Sequence, residues 1–226
     1  QLLNLWIGLE TITPTHSGHA KITQICNGIM PFLSIMHTKR LIGVFTKDLL
    51  RWDRRTVNRI LKKVPVPKGA KTIDKVSVLL SCPKCDDLRS ELYADLKDFH
   101  LLRFRAFTLH EKLSSPEKVI ALLAEHEKKV LWQIRRIYRS RNLLVHSGRT
   151  LQYLPSLVEN AHDYFDQVIF IFIRMCIGTY SVKTIDQSFE LAKLTRTGLN
   201  KKLKDIDVFD SNSALILVND YSFMQL

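Results

Sequence analysis

The chain contains the sequence Tyr138-Arg139-Ser140-Arg141-Asn142-Leu143-Leu144-Val145-His146-Ser147-Gly148 directly after a long amphipathic segment. In a helix, Asn142 and His146 lie four residues apart and share one face. Arg141 and His146 lie five residues apart, an offset of roughly 140° around the axis, which a long guanidinium side chain can cover. An arginine binds a phosphate bidentately, and a histidine acts as general acid or base near neutral pH. Because no carboxylate accompanies them, these residues favour metal-free chemistry on a phosphodiester over a metal site.

The same residues resemble a known family. The segment Arg141–His146 resembles the Arg-x4-His motif of HEPN domains. The wider pattern, which also includes Tyr138 and Gly148, resembles the Apea-like HEPN branch. The opening Leu5-Trp6-Ile7-Gly8-Leu9-Glu10 is similar to the Trp-x-x-Leu-Glu helix near the start of that branch. The resemblance covers residues 1–45 and 97–178, and it implies an all-α helical bundle that dimerises.

The resemblance also implies an activity, that of a metal-independent endoribonuclease without a cofactor. Arg141 would bind and polarise the scissile phosphate, and His146 would be the general acid or base for attack by the neighbouring 2′-OH. Asn142 would hold the phosphate or position His146. The product is a 2′,3′-cyclic phosphate, and the branch suggests anti-phage defence or a toxin-like role.

Other interpretations of the motif stay open. In a purely structural one, Arg141 caps a helix and pairs with Glu10 or Glu159, while His146 is an interior histidine. In another, the domain is a non-catalytic HEPN-type module that binds RNA, a nucleotide or a partner protein. A DNA-binding regulator rests on charge alone, since no helix-turn-helix pattern is present.

Composition limits the class of protein. The chain has 226 residues, 46% hydrophobic and 25% charged, which is typical of a globular protein rather than a disordered one. The net charge of +12 predicts a polyanionic partner, nucleic acid first. Four cysteines without a disulfide pattern favour a reducing cytoplasm. The apolar run 168–173 is closed by Arg174 and is too short to span a membrane. Because the first residue is Gln1 and not Met, the chain is expected to be a trimmed piece of a longer protein, and a regulatory N-terminal domain or partner outside it is an open expectation.

Helical periodicity predicts the organisation of the chain. We expect a discontinuous HEPN-like bundle from residues 1–46 and 97–180, a basic helical insertion at 47–96 and a C-terminal helical extension at 181–226. The individual predictions are a helix over 2–12, one over 20–45 kinked or split at Pro31, one over 115–139, a short motif helix ended by Gly148, one over 153–177, and a short strand or an extended packed segment at 214–218. The motif helix is expected to pack against the helices on either side of it. Residues 97–113 are expected to be helical, with Leu101, Phe104, Phe107 and Leu109 partly buried.

A basic stripe is the second notable feature. Cations recur every four residues at Lys47, Arg51, Arg55, Arg59 and Lys63. Like charges at this spacing destabilise a helix by a few tenths of a kcal/mol per pair. The stripe is therefore either a solvated face neutralised by acids from elsewhere in the fold, or a track for a phosphate backbone.

Further cations and supporting residues accompany the motif. Arg135, Arg136 and Arg139 precede it, within a segment from Lys128 to Arg149 that contains seven Lys or Arg and no acid, and they are predicted to bind RNA. Tyr138 and Glu10 are candidates for supporting the site, although Glu10 is otherwise a solvated cap beside a core Trp6. Cys82 and Cys85 form a single Cys-x-x-Cys pair without a second pair, so unpaired thiols in a loop are favoured over zinc or a redox pair.

The proposed chemistry predicts a homodimer. Attack by a 2′-OH requires a base on one side of the phosphate and an acid on the other, and one histidine supplies only one of them. A two-fold axis supplies both from a single motif. The motif helix and the apolar end of residues 153–177 are the predicted contact surfaces. The alternative is a monomer in which residues 168–173 are simply core.

Overall fold

The computed structural model describes residues 1–14, 20–148, 152–177 and 182–218. These residues form nine α-helices: α1 (Leu2–Ile12), α2 (Lys21–Ile35), α3 (His37–Leu61), α4 (Thr72–Ser81), α5 (Asp86–Asp95), α6 (His100–Leu113), α7 (Pro116–Ser147), α8 (Leu154–Ile177) and α9 (Ile185–Lys204). Two 3₁₀ helices cover Pro83–Cys85 and Ser213–Leu217. The described residues contain no strand, so the predicted all-α fold is confirmed. None of the helices in these ranges combines the length and apolarity needed to cross a membrane.

The chain divides into two compact units. Unit 1 comprises the described residues of Gln1–Ile35 and Ala124–Thr197, and unit 2 comprises Met36–Leu123 with those of Gly198–Asn219. The motif therefore lies in unit 1 and the basic stripe in unit 2. These boundaries differ from the predicted ones, because residues 36–46 and 97–123 belong with the stripe rather than with the motif.

Helix α8 is central to unit 1. Both α1 and α2 pack against it. Its buried side chains recur at helical spacing: Leu157, Ala161, Tyr164, Val168, Ile171 and Met175. Gly8 allows the close approach of α1, because a Cβ at this position would lie 2.8 Å from the ring of Phe165. Phe32 of α2 contacts Phe189 of α9 edge to face, with ring centroids 4.9 Å apart.

Helix α4 is central to unit 2. The six consecutive residues Val76–Ser81 are buried, a pattern typical of a helix surrounded by other elements. Ser77 Oγ donates a hydrogen bond of 2.8 Å to the carbonyl of Ala214, and Thr38 Oγ1 donates one of 2.8 Å to that of Leu217. These bonds hold the 3₁₀ helix Ser213–Leu217 against α3 and α4. The strand interpretation of residues 214–218 is therefore wrong, while packing of the segment is confirmed.

A buried arginine closes the end of α4. Arg89 is 3% exposed and donates hydrogen bonds to the carbonyls of Leu79 and Cys82, at 2.6 and 2.8 Å. The last carbonyls of a helix have no partner within it, so Arg89 satisfies groups that burial would leave unpaired. The thiols of Cys82 and Cys85 are free and buried beside it. Burial is the main cause that raises the pKa of the Cys85 thiol to about 11.

Two helix boundaries differ from the predicted ones. Helix α2 continues through Pro31, and the chain breaks at Met36 instead, so residues 20–45 are not one helix bent at the proline. Within α3, Asp53 has non-helical backbone angles of φ −153° and ψ 99°. Its carboxylate accepts hydrogen bonds from the backbone N–H groups of Arg55 and Thr56, at 2.9 and 3.1 Å. Asp53 therefore caps the second half of α3.

Candidate functional site

The motif occupies the C-terminal end of α7. This helix runs without interruption from Pro116 to Ser147, since no glycine or proline follows Pro116 until Gly148. The prediction of a separate motif helix, packed against residues 115–139, is therefore wrong. Gly148 ends the helix as predicted, with φ +61° in the left-handed region that favours glycine.

Arg141 is half-buried, and its guanidinium forms no ion pair with the described residues. One Nη donates a hydrogen bond of 3.1 Å to Asn142 Oδ1. Its Nε is buried and lacks a hydrogen-bond partner, although buried polar atoms in proteins are normally paired. Among the described residues no carboxylate forms an ion pair with Arg141, so the predicted structural pairing with Glu10 or Glu159 is not found. The guanidinium is thus held by Asn142 and left with an unmet capacity to bind an anion.

His146 is the penultimate residue of α7 and is exposed. The interpretation of His146 as an interior histidine is therefore wrong. Arg141 lies on the side of α7 that buries Ile134 and Ile137, whereas His146 faces solvent on the same side as Arg135 and Arg139. Asn142 is half-buried. The roughly 140° offset between Arg141 and His146 thus separates a half-buried group from an exposed one. Within one chain, the structure places Asn142 beside Arg141 but gives His146 no hydrogen bond to either.

The two predicted supporting residues belong to an aromatic contact. Trp6 is fully buried, and its ring centroid lies 5.3 Å from that of Tyr138. Trp6 Nε1 donates a hydrogen bond of 2.7 Å to Glu10, which also lies 3.4 Å from Lys21 Nζ. Tyr138 therefore anchors the motif-bearing part of α7 to α1. Glu10 is engaged by Trp6 and Lys21 rather than directed at Arg141 or His146.

The cations that precede the motif differ in their surroundings. Arg135 and Arg139 are exposed, on the same side of α7 as His146. The guanidinium carbon of Arg136 instead lies 5.1 Å from the ring centroid of Trp132 and 4.4 Å from that of Tyr153. Cation–π contacts of this kind hold a side chain in place. Arg136 is accordingly held by aromatic rings, whereas the guanidinium groups of Arg135 and Arg139 form no hydrogen bond or ion pair with the described residues.

The basic stripe falls into two parts, separated by the break at Asp53. After the break, Arg59 pairs with Asp95 and Lys63 pairs with Glu91, both on α5. Before and just after it, Lys47, Arg51 and Arg55 are exposed, and no acid pairs with them in the part of the chain that the structure describes. Neutralisation by acids from elsewhere in the fold is therefore confirmed for Arg59 and Lys63, while a phosphate track along Lys47, Arg51 and Arg55 stays a prediction.

Unit 2 carries most of the positive charge. It contains 22 Lys or Arg against 13 Asp or Glu, whereas the rest of the chain contains 12 against 9. Nine of the twelve net charges therefore belong to the unit without the motif. The sequence predicts a basic insertion at 47–96, but only the fold shows how the remaining charge divides between the two units.

A cleft beside the motif was not predicted. It has a volume of about 930 Å³, and Leu2 of α1, Leu144 of α7 and several residues of α8 line it. Its polar lining is mainly acidic, with Glu159, Asp163 and Asp166, and also contains Gln1 and His162. The spacing of these acids along α8 was a visible signal, since residues 159, 163 and 166 share one helical face. Within the described residues, no group of three or more His, Cys, Asp or Glu is arranged to bind a metal ion.

Comparisons with known proteins add no relative. The chain matches no protein-family model, no curated protein and no solved structure.

Proposed function

We propose that the chain is a metal-independent endoribonuclease of the HEPN type. The observation that carries the proposal is Arg141, a half-buried guanidinium that forms no ion pair with any carboxylate of the described residues, whose Nε is unsatisfied and whose Nη is held by Asn142. A phosphate would supply the missing acceptors in the bidentate geometry that arginine favours. The resemblance of residues 138–148 to the Apea-like HEPN motif agrees with this use, and cytoplasmic anti-phage defence or a toxin-like role is the setting it suggests.

The reaction follows from the groups available. The 2′-OH attacks the adjacent phosphorus, the bond to the 5′-oxygen breaks, and a 2′,3′-cyclic phosphate forms. Arg141 binds the non-bridging oxygens and stabilises the charge that develops on them. His146 either removes the proton of the 2′-OH or gives a proton to the leaving 5′-oxygen. Asn142 positions Arg141 through the hydrogen bond between their side chains.

A homodimer would complete the site. One chain supplies a single histidine, and Arg141 and His146 face different sides of α7. A two-fold axis that joins the motif ends would place His146 of one protomer near Arg141 of the other. Exposed apolar side chains support such a contact: Leu143 and Val145 of the motif, and Phe170, Ile173 and Ile177 of α8. The monomer alternative, in which residues 168–173 are simply core, does not account for the exposure of Phe170 and Ile173.

Cleavage of RNA in the presence of EDTA tests the proposed activity. Wild-type protein should cleave mixed tRNA and mRNA and leave 2′,3′-cyclic phosphate ends. His146→Ala should lose about 10²–10⁴ in rate, and Arg141→Ala about 10²–10³ or more. His162→Ala, an exposed histidine on α8, is the matched control and should cleave normally. Equal cleavage by wild type, His146→Ala and Arg141→Ala would contradict the proposal.

A mixing experiment tests the composite site. Light scattering should give twice the mass of one chain. An equimolar mixture of Arg141→Ala and His146→Ala chains should recover at most about a quarter of wild-type activity, because half of the dimers are mixed and each joins one Arg141 to the single His146 of its partner. A site that needs both histidines would stay inactive in the mixture. A mass of one chain, unchanged by RNA, would refute the composite site.

A second function is favoured by one observation. Because Arg141 and His146 do not converge within one chain, the same fold would also serve a non-catalytic HEPN-type module that binds RNA, a nucleotide or a protein. Such a module would bind RNA through Arg141 without cleaving it. RNA binding that depends on Arg141, combined with the absence of cleavage in the dimer, would support this alternative.

A further inference from the structure

The outward face of α6 is apolar. Leu101 and Phe104 are 67% and 66% exposed, Phe107 is 52% exposed and the neighbouring Phe99 is 45% exposed. The prediction that Leu101, Phe104 and Phe107 are partly buried is therefore wrong. Contiguous exposed apolar groups mark interaction sites more often than isolated ones do, so this face requires an explanation.

Two grooves run along this face within unit 2. One, of about 320 Å³, is lined by Tyr93, His100, Arg103, Phe104 and Phe107. The hydroxyl of Tyr93 is buried and has no hydrogen-bond partner. Aromatic rings, the guanidinium of Arg103, the imidazole of His100 and an unsatisfied hydroxyl thus lie together, a combination that suits a ligand with both aromatic and polar parts.

The second groove joins α6 to the basic stripe. It has a volume of about 440 Å³, and its lining brings Arg51 and Trp52 of α3 together with Phe99 and Leu101. Arg105 and Asp48 in the same groove pair with each other, so Arg51 is the cation left without a partner among the described residues. The aromatic face and the unpaired part of the stripe are therefore adjacent.

We infer that this face, formed by α3 and α6, binds single-stranded RNA. Bases stack on the exposed rings of Phe99, Phe104 and Phe107, while Arg51 and its neighbours on α3 neutralise phosphates. Stacking on aromatic rings and a cationic groove are the two recurring means of binding a single strand. A duplex does not offer its base faces, so it gains only the electrostatic part. The choice of RNA rests on the proposed function, and charge complementarity with a unit that is strongly basic favours a polyanion over a protein.

Binding of a short 2′-O-methyl oligouridine, measured by fluorescence anisotropy, tests the inference. This probe lacks the nucleophilic 2′-OH, so binding is measured apart from cleavage. Phe104→Ala should weaken binding by roughly 5- to 150-fold, the range for loss of one base–ring stack, without changing the salt dependence. Phe104→Trp should retain affinity. Leu194→Ala, which removes a side chain 68% exposed on α9, is the control and should bind as wild type does.

The outcomes separate the two proposals. Wild-type affinity in the double variant Phe104→Ala/Phe107→Ala, or equal affinity for single strand and duplex, would overturn the inference. So would self-association that Phe104→Ala abolishes, since the face would then bind a second copy of the chain. Ring-dependent binding without RNA cleavage would contradict the proposed nuclease but leave the inference intact.

Discussion

Two double variants of α3 distinguish the two parts of the basic stripe. Arg51→Gln/Arg55→Gln removes two cations that have no acidic partner among the described residues. Arg59→Gln/Lys63→Gln removes two that pair with Asp95 and Glu91 of α5. Each variant lowers the net charge by two. Lys63 lies just past the end of α3, and at the three helical positions glutamine has nearly the same helix propensity as arginine. The two variants therefore differ mainly in what the lost cations contacted.

The expected effects are opposite. If Arg51 and Arg55 contact phosphates, their loss flattens the plot of log K against log salt by about 0.7 per contact, or about 1.4 in total. The ratio between wild-type and variant affinities would then narrow about sevenfold from 50 to 200 mM salt. The other variant should keep a nearly wild-type salt slope but lose up to about 1 kcal/mol of stability per pair, since both pairs are at the surface.

Anisotropy titrations at several salt concentrations and urea denaturation of the same samples measure both effects. Phosphate contacts by Arg51 and Arg55 are supported if Arg51→Gln/Arg55→Gln flattens the salt slope at constant stability. Arg59→Gln/Lys63→Gln should then lower the stability at a constant salt slope. Equal changes of slope in both variants would mean that net charge alone governs binding. Unchanged slopes in both would mean that the whole stripe is a solvated face.

Three further predictions concern the described contacts. Arg89→Ala should lower the free energy of unfolding by about 2–6 kcal/mol, because two buried carbonyls lose their donors, whereas Arg59→Ala should cost less than about 1 kcal/mol; urea denaturation with an unchanged m-value compares them. Trp6→Ala should destabilise by about 3–5 kcal/mol, and Trp6→Phe by about 1 kcal/mol through loss of the hydrogen bond to Glu10, as thermal denaturation would show. Because burial raises the pKa of Cys85 from 9.0 to about 11, folding favours the protonated thiol. Stability should therefore decline as the pH rises through that interval, and less so in Cys85→Ala.

The sequence predicted the class of fold because its signal is local. Apolar residues at helical spacing and the scarcity of glycine and proline indicated helices over nearly all the described residues. The break at Asp53 escaped prediction, although an aspartate ahead of Thr56 is a possible helix cap, because the apolar period continues on both sides of it. The continuity of α7 through Arg139 was not predicted either, because its cations were interpreted as the end of the helix. Cations are common at a helix end, but here they occur before the end, and only Gly148 stops the helix.

Burial was harder to predict than secondary structure. Helix α6 has apolar residues all around its axis, and it can bury only the side that meets its neighbours. The structure buries Leu102, Ala106 and Leu113 and exposes Leu101 and Phe104. Which side is buried depends on α3 and α4, whose positions no local pattern contains. The same limit applies to the partition of charge between the two units.

At the candidate site, the sequence predicted the residues but not their orientation relative to the core. The motif identified Arg141, Asn142 and His146 as candidates, and in the structure Arg141 donates a hydrogen bond to Asn142, a contact that was not predicted. Spacing of five residues did not show that one group faces the core and the other faces solvent, because helical geometry fixes the offset but not the orientation of the helix. Because of this orientation, the proposed cleavage depends on the oligomeric state. In a monomer, Arg141 would bind a phosphate without a nearby acid or base, whereas a two-fold partner that covers the exposed Leu143 and Val145 would bring a second His146 to the same end of α7. The proposed nuclease chemistry therefore depends on self-association, and loss of dimerisation should abolish cleavage even when both motif residues are intact.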